Sequence, residues 1–147
     1  MIIETEVLGE VEYLEKDIIL FEEGLYGFGG MKEFILLLNP VEEMPFHYLQ
    51  SIQDKRLNFI VTSPFIFIKN YEFDLSDTII DKMEIKSPDD MDIFTIVTIP
   101  EKLEETTINL KAPIVVNKNN KKAKQCILDE NFVYKQFIFK EVTPEEK

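Results

Sequence analysis

The sequence predicts an all-β fold, a sandwich or barrel of many short antiparallel strands with one or two short helices. Two observations carry that prediction. Strand-like segments recur about every 10 residues between turn signals. Only one stretch, Asp74 to Lys82, has the apolar spacing of a helix.

At the start, Ile3, Thr5 and Val7 alternate with Glu4 and Glu6, and Val11 and Tyr13 alternate with Glu10 and Glu12 beyond Gly9. The pattern reads as a hairpin with an acidic face toward water. Ile18 to Phe21 is the next strand. Gly24, Gly27, Gly29 and Gly30 then crowd one bend, where unusual backbone angles are needed. Phe34 to Leu38, ended by Asn39-Pro40, reads as a strand buried on both faces. Tyr48 to Ile52 and Leu57 to Thr62 form a second hairpin through Gln53 to Arg56, and Phe65 to Ile68 is a further short apolar strand after Pro64.

In the helix, Leu75, Ile79 and Met83 sit four apart, Asp74 or Ser76 caps the start, and Asp77 lies in the first turn, where negative charge is favoured. Ser87 to Asp90 is a turn. Ile93 to Ile99 is β-branched and ends at Pro100. Glu101 to Glu105 is an exposed loop. Ile114 to Val116 and Gln125 to Leu128 flank a hairpin connection containing Asn119-Asn120, and Phe132 to Phe139 forms a last strand. Residues 1–142 make one domain, with a charged, frayed tail at 143–147.

Sixteen Lys and Arg against 28 Asp and Glu give a formal charge of −12. That surface repels nucleic acid and anionic membranes and favours a basic partner, or keeps the protein soluble. The N-terminus lacks a signal-peptide pattern, and no apolar run approaches the ~20 residues of a membrane helix. The single cysteine, Cys126, suits a reducing compartment, and the expected location is the cytoplasm.

No motif points to catalysis. His47 is the only histidine and has no metal-ligand spacing around it; Cys126 sits in an apolar run unlike a reactive thiol. The Gly24–Gly27 stretch lacks the Lys-Ser/Thr of a phosphate loop. Asp89, Asp90 and Asp92 lack the calcium-loop spacing. Lys118, Lys121, Lys122 and Lys124 form a basic island without the interleaved aromatics of a nucleic-acid surface. No catalytic residue, metal or cofactor is expected.

The segment Phe21-Glu-Glu-Gly-Leu-Tyr-Gly-Phe28 resembles the Phe-x-x-Gly-Leu-x-Gly-Phe signature of the FliW family of bacterial flagellar assembly factors. Leu49-Gln50-Ser51, Phe59-Ile-Val-Thr-Ser-Pro64, Tyr71 and Val97-Thr98-Ile99-Pro100 follow in the family's order. Thr107-Ile-Asn-Leu-Lys-Ala-Pro-Ile-Val-Val-Asn117 and then Gln125 complete it. Tyr26 stands where proline is common, and Ile108 where alanine or valine is. The resemblance implies a monomeric β-barrel-like domain in the cytoplasm that binds two proteins, flagellin and the translational repressor CsrA. Bound to CsrA it relieves repression of flagellin synthesis, and free flagellin takes it away again.

Within the blocks, Gly24, Gly27 and Phe28 are expected to shape the bend. Asn109 is expected to bond neighbouring backbone, and Pro113 to start the next strand extended. For partner contacts the expected residues are Tyr71, Glu72 and Asp74 between the Phe65–Ile68 strand and the helix, Asp89, Asp90 and Asp92 in the nearby turn, and, for flagellin, Phe46 and Tyr48. Two other readings stay open: an acidic interaction domain with different partners, and a ligand-binding or hydrolytic barrel with a polar pocket holding two carboxylates.

Overall fold

The computed structural model describes residues 1–129 and 131–139. The expected tail at 143–147 lies outside them. Among the described residues eleven strands run in order: β1 (Ile2–Thr5), β2 (Gly9–Glu12), β3 (Ile19–Phe21), β4 (Glu33–Leu37), β5 (His47–Ser51), β6 (Asn58–Thr62), β7 (Met91–Thr98), β8 (Thr107–Ile108), β9 (Ile114–Asn117), β10 (Lys122–Gln125) and β11 (Gln136–Phe137). One α-helix, α1 (Asp77–Met83), lies between β6 and β7 among the described residues.

β3 to β7 form an antiparallel meander. β9 and β10 close it, because β10 lies beside β3 and β9 returns to β7, making a barrel of seven strands. All pairings are antiparallel except β10 with β3, a parallel seam only two residue pairs long (Lys122 with Leu20, Ala123 with Phe21). The expected barrel of short antiparallel strands is otherwise what the chain forms. The eight-residue β7 joins several neighbours: Met91 to Phe94 pair with β9, Thr95 and Ile96 with β6, and Val97 and Thr98 with β8.

Alternation along the strands sorts side chains to two sides of the barrel wall. Phe21, Phe34, Leu49, Val61, Ile114 and Val116 fill the interior, with Phe59, Phe94 and Ile96 against them. Phe21 and Phe34 meet edge-on at 5.4 Å. The space left inside is about 10 Å³, too little for a ligand. The reading as a barrel holding a ligand between two carboxylates needed a polar interior cavity; the interior is packed and apolar instead.

Two further apolar layers lie against the wall. One joins Tyr71, Val97, Ile108, Leu110 and Leu128. The other joins Met83, Val115 and Cys126 beneath α1. The expected N-terminal hairpin exists as a separate two-stranded sheet, with Ile3 opposite Val11 and exposed Glu4 opposite Glu10.

Several elements differ from the sequence reading. Phe65 to Ile68 is not a strand: Pro64 to Ile66 form a 3-10 turn, which proline favours in its first position because its φ is preset and its missing N–H is not needed there. α1 starts at Asp77 rather than Asp74, because Ser76 is the cap and its hydroxyl accepts from the Ile79 N–H at 3.3 Å. In the last hairpin the second strand is Lys122–Gln125, not Gln125–Leu128, and the last strand shrinks to Gln136–Phe137.

Candidate functional site

Residues 71 to 75 run without regular secondary structure and alternate in burial: Tyr71 is buried, Phe73 and Leu75 are half-buried, and Glu72 and Asp74 are exposed. α1 follows at once. The chain leaves the helix at Glu84 in the left-handed region (φ 57°), where the Glu84 N–H bonds the Ile80 and Asp81 carbonyls and leaves those of Met83 and Glu84 to donors outside the helix. The β9–β10 turn supplies the missing donors. Asn117 Nδ2 donates to the Met83 and Glu84 carbonyls at 2.8 and 3.2 Å, and Asn120 Nδ2 to the Met83 carbonyl at 3.1 Å.

The 71–75 segment, α1 and the return into β7 enclose an open groove of about 810 Å³. Its apolar surface comes from Phe65, Phe73, Ile80, Ile85, Met91 and Ile93, while Glu72, Asp74 and Lys86 supply charge. Beside it, Ser87 and Asp90 cap the turn that leads into β7. The Asp90 carboxylate accepts from the Ser87 N–H at 3.1 Å, and the Ser87 hydroxyl accepts from the Asp89 N–H at 3.3 Å.

The acidic residues expected to act together are thus divided. Glu72 and Asp74 line the groove, and Asp89 lies exposed in the adjoining turn. Asp90 is engaged as a cap. Asp92 alternates with the groove residues Met91 and Ile93, so it faces the other side of β7, 3.7 Å from Lys118.

Tyr71 was expected at the surface and is only 3% exposed. Its hydroxyl donates to the Leu110 carbonyl at 2.6 Å, and its ring packs with Phe73 and Phe132 at 5.2 and 5.0 Å. Burial follows from Leu128, Phe132 and Ile138 packing into the same apolar layer, a long-range event that local polarity does not announce. Tyr71 pins the excursion between β8 and β9. Asn109 shapes that excursion as expected, its Oδ1 accepting from the N–H groups of Lys111 and Ala112 at 3.1 and 3.0 Å. Pro113 precedes β9, and its carbonyl accepts from the Cys126 N–H at 2.9 Å.

Phe46 stacks on Phe67 at 6.0 Å, and both meet Phe139 edge-on at 6.3 and 5.9 Å. Tyr48 is half-buried in β5 opposite Ile60. Phe65 and Ile66, both exposed, lie in the turn leading to Phe67, and Phe65 also enters the groove and packs with Tyr71 at 6.0 Å. The groove and the aromatic ridge therefore meet at this turn. The apolar run after proline has the composition of a strand, and Pro64 is the residue whose preset φ signals the turn instead.

His47 Nδ1 accepts from the Asn39 N–H at 3.0 Å, a bond that holds the β4–β5 loop. Among the described residues no group of three or more His, Cys, Asp or Glu could hold a metal, and no helix is long and apolar enough to cross a membrane. The Cys126 thiol is buried, and burial pushes its pKa up to about 11.

The basic island is largely paired. Lys122 reaches Glu84 at 3.0 Å and Glu22 at 3.6 Å, and Lys124 hydrogen-bonds Glu23. Those lysines hold the Glu84 and Glu23 carboxyls below their ordinary value. Burial opposes the charge on Lys124, but Glu23 outweighs it and the ammonium pKa is raised.

The glycine bend obeys stricter geometry. Gly24 has φ +70°, and a Cβ there would stand 2.7 Å from the Gly29 Cα and carbonyl oxygen. Gly27 has φ +86°, and Phe28 packs edge-on against Phe59 at 5.3 Å.

The family model described as FliW protein matches residues 2–138. The chain belongs to the FliW family. Among relatives named flagellar assembly factor FliW, the one from Bacillus licheniformis is 47% identical, over 94% of this chain and 96% of its own length. The one from Alkaliphilus metalliredigens is 40% identical, over 97% of this chain and 88% of its own. A crystal structure of the flagellar assembly factor FliW superposes with a TM-score of 0.90 at 37% identity, covering 97% of this chain and all of that one. The barrel and the bend are thus those of a FliW protein, and the signature blocks frame the fold: the first makes the bend, and the second makes β8, its excursion and β9.

Proposed function

We propose that this FliW-family protein works in the cytoplasm as a monomeric flagellar assembly factor that makes and breaks no covalent bond. It binds flagellin and antagonises the translational repressor CsrA, coupling flagellin synthesis to export. The observation that carries the reading is the groove: an apolar floor beside Glu72 and Asp74, on a chain of formal charge −12. Apolar anchors give a partner binding energy. The carboxylates and the overall field steer a basic partner and disfavour RNA at the same surface. For flagellin, the aromatic ridge of Phe46, Phe67 and Phe139 supplies the kind of apolar contact that a chaperone-like grip needs.

The test is a titration. Labelled flagellin messenger RNA is bound to CsrA, then this protein is added, then flagellin. The expected result is release of RNA on the first addition and its rebinding on the second. RNA occupancy indifferent to both additions overturns the reading. Raising the salt concentration should slow association with CsrA, because the screening length shrinks from about 10 Å at 0.1 M to about 3 Å at 1 M.

A further inference from the structure

The β4–β5 loop, residues 38–46, is apolar at its surface. Leu38, Val41 and Met44 are exposed, and the loop ends on Phe46 of the aromatic ridge. Asn39 Oδ1 accepts from the Val41 N–H at 2.9 Å, and the Val41 carbonyl accepts from the Met44 N–H at 3.0 Å. The Thr62 hydroxyl donates to the Pro45 carbonyl at 2.7 Å. The bond from the Asn39 N–H to His47 Nδ1, 3.0 Å long, differs from these in two ways.

First, it joins residue 39 to residue 47 and so closes the loop at its neck. Second, its acceptor is a titratable group. An imidazole nitrogen accepts an N–H only with its lone pair free, so the neutral ring carries its proton on Nε2. A protonated ring carries N–H on both nitrogens, and the Asn39 N–H then faces another donor. The amides, carbonyls and hydroxyl of the other bonds do not change with pH.

His47 shares a strand face with the interior residue Leu49, so its half-buried ring lies at the rim of the barrel. The strands on either side bring no charge against it: β6 sets Val61 opposite, and β4 runs past Leu37 into Leu38. The acids of the loop itself, Glu42 and Glu43, are exposed. Among the described residues no carboxylate comes within ion-pair distance of the ring. No ion pair there compensates a positive ring for the lost bond.

We infer that His47 is a proton-operated latch: its neutral ring holds the loop neck shut, and protonation releases Leu38, Val41 and Met44 and the approach to Phe46. Imidazole is the side chain whose charge ordinarily changes near neutral pH, so modest acidification works the latch. For a partner that docks on the ridge, release replaces a preformed apolar surface by one that must be ordered on binding, and affinity falls. That consequence rests on the reading of the ridge as a flagellin contact; the latch itself does not.

Hydrogen exchange at the Asn39 amide of the full chain, corrected for the intrinsic effect of pH on exchange, tests the latch. Between about pH 8 and about pH 5.5, the span in which imidazoles ordinarily titrate, its protection should fall in step with the His47 ring signals. The expected fall is about fivefold, the effect of one ordinary hydrogen bond. His47→Asn places an amide oxygen close to where Nδ1 stands and accepts at any pH, so its protection should stay level. His47→Phe has no acceptor and should leave Asn39 poorly protected at both values. A wild-type Asn39 amide indifferent to the ring's titration overturns the inference, whether or not either variant folds well. So does an equal fall in His47→Asn, which would assign the response to Glu42 or Glu43. Flagellin affinity should fall with acid more steeply for the wild type than for His47→Asn. A responsive amide without that difference keeps the latch and removes the ridge from the flagellin contact, so the two readings fail separately.

Discussion

The backbone N–H of Tyr26 donates to Oε1 of Gln125 at 3.1 Å, across 99 positions of sequence. The Gln125 Nε2 donates in turn to the Ala112 carbonyl at 3.3 Å. One side-chain amide, 7% exposed, therefore ties the glycine bend to the excursion between β8 and β9.

Replacing Gln125 by leucine removes both bonds while keeping most of the volume. A part-buried N–H and a buried carbonyl lose their partner, at a cost of about 1–3 kcal/mol. Urea unfolding should show a lower midpoint with an unchanged slope.

Gly24 and Gly29 separate two uses of glycine. Gly24→Ala forces a Cβ into the Gly29 backbone at a left-handed φ and should cost at least ~2 kcal/mol, or prevent folding. Gly29→Ala should change stability by no more than ~0.5 kcal/mol. Equal losses in thermal denaturation would show that the bend is arranged differently.

Tyr71 and Glu72 are adjacent and should behave oppositely. Tyr71→Phe removes the bond to the Leu110 carbonyl and should cost ~1–2 kcal/mol of stability while leaving CsrA affinity intact. Glu72→Lys reverses an exposed charge in the groove, so stability should stay within ~0.5 kcal/mol. On the proposed function, association with CsrA should slow several-fold, most clearly at low salt. Unchanged association with Glu72→Lys would place the CsrA contact elsewhere.

The Cys126 thiol, with its pKa at about 11, should resist a thiol-specific reagent at pH 8, where only about one molecule in a thousand is ionised, and react at once in denaturant. Rapid native labelling would show that the layer beneath α1 opens readily.

The Glu23 and Glu84 carboxyls are depressed in the folded protein by Lys124 and Lys122. Their contribution to stability is therefore present above the ordinary carboxylate value and is lost as pH falls through the lower folded values. Glu84→Gln should flatten the acid limb of a stability–pH curve, modestly, since the pair is exposed. A limb of unchanged slope would mean that Lys122 does not hold Glu84 in solution.

Much of the barrel was legible in local chemistry: β4 is a continuous apolar run, β5 and β6 flank a polar turn, β7 is rich in β-branched residues, and Ser76 stands ahead of the helix as its cap. β8 was not legible as a strand, and β11 was legible only as part of the longer run Phe132 to Phe139. Each has two residues, and they exist only because β7 is long enough to offer β8 an edge and β8 then offers one to β11. The site was half legible. Glu72 and Asp74 face the groove, as alternation with Phe73 and Leu75 allows, but Tyr71 vanished beneath residues far away in sequence. Asp92 is close to Asp89 and Asp90 in sequence, but it lies inside β7, where strand parity turns it away from the groove.

The narrow parallel seam between β3 and β10 has a bearing on biosynthesis. The meander from β3 to β7 can assemble as soon as it leaves the ribosome, yet both of its outer margins stay open until more than a hundred residues have been translated. During that interval the nascent sheet carries two unsatisfied borders, the situation that invites association with other chains. Ribosome-stalled chains ending before β10 should therefore be protease-sensitive and prone to clump, and chains extended past it should become resistant in a single step.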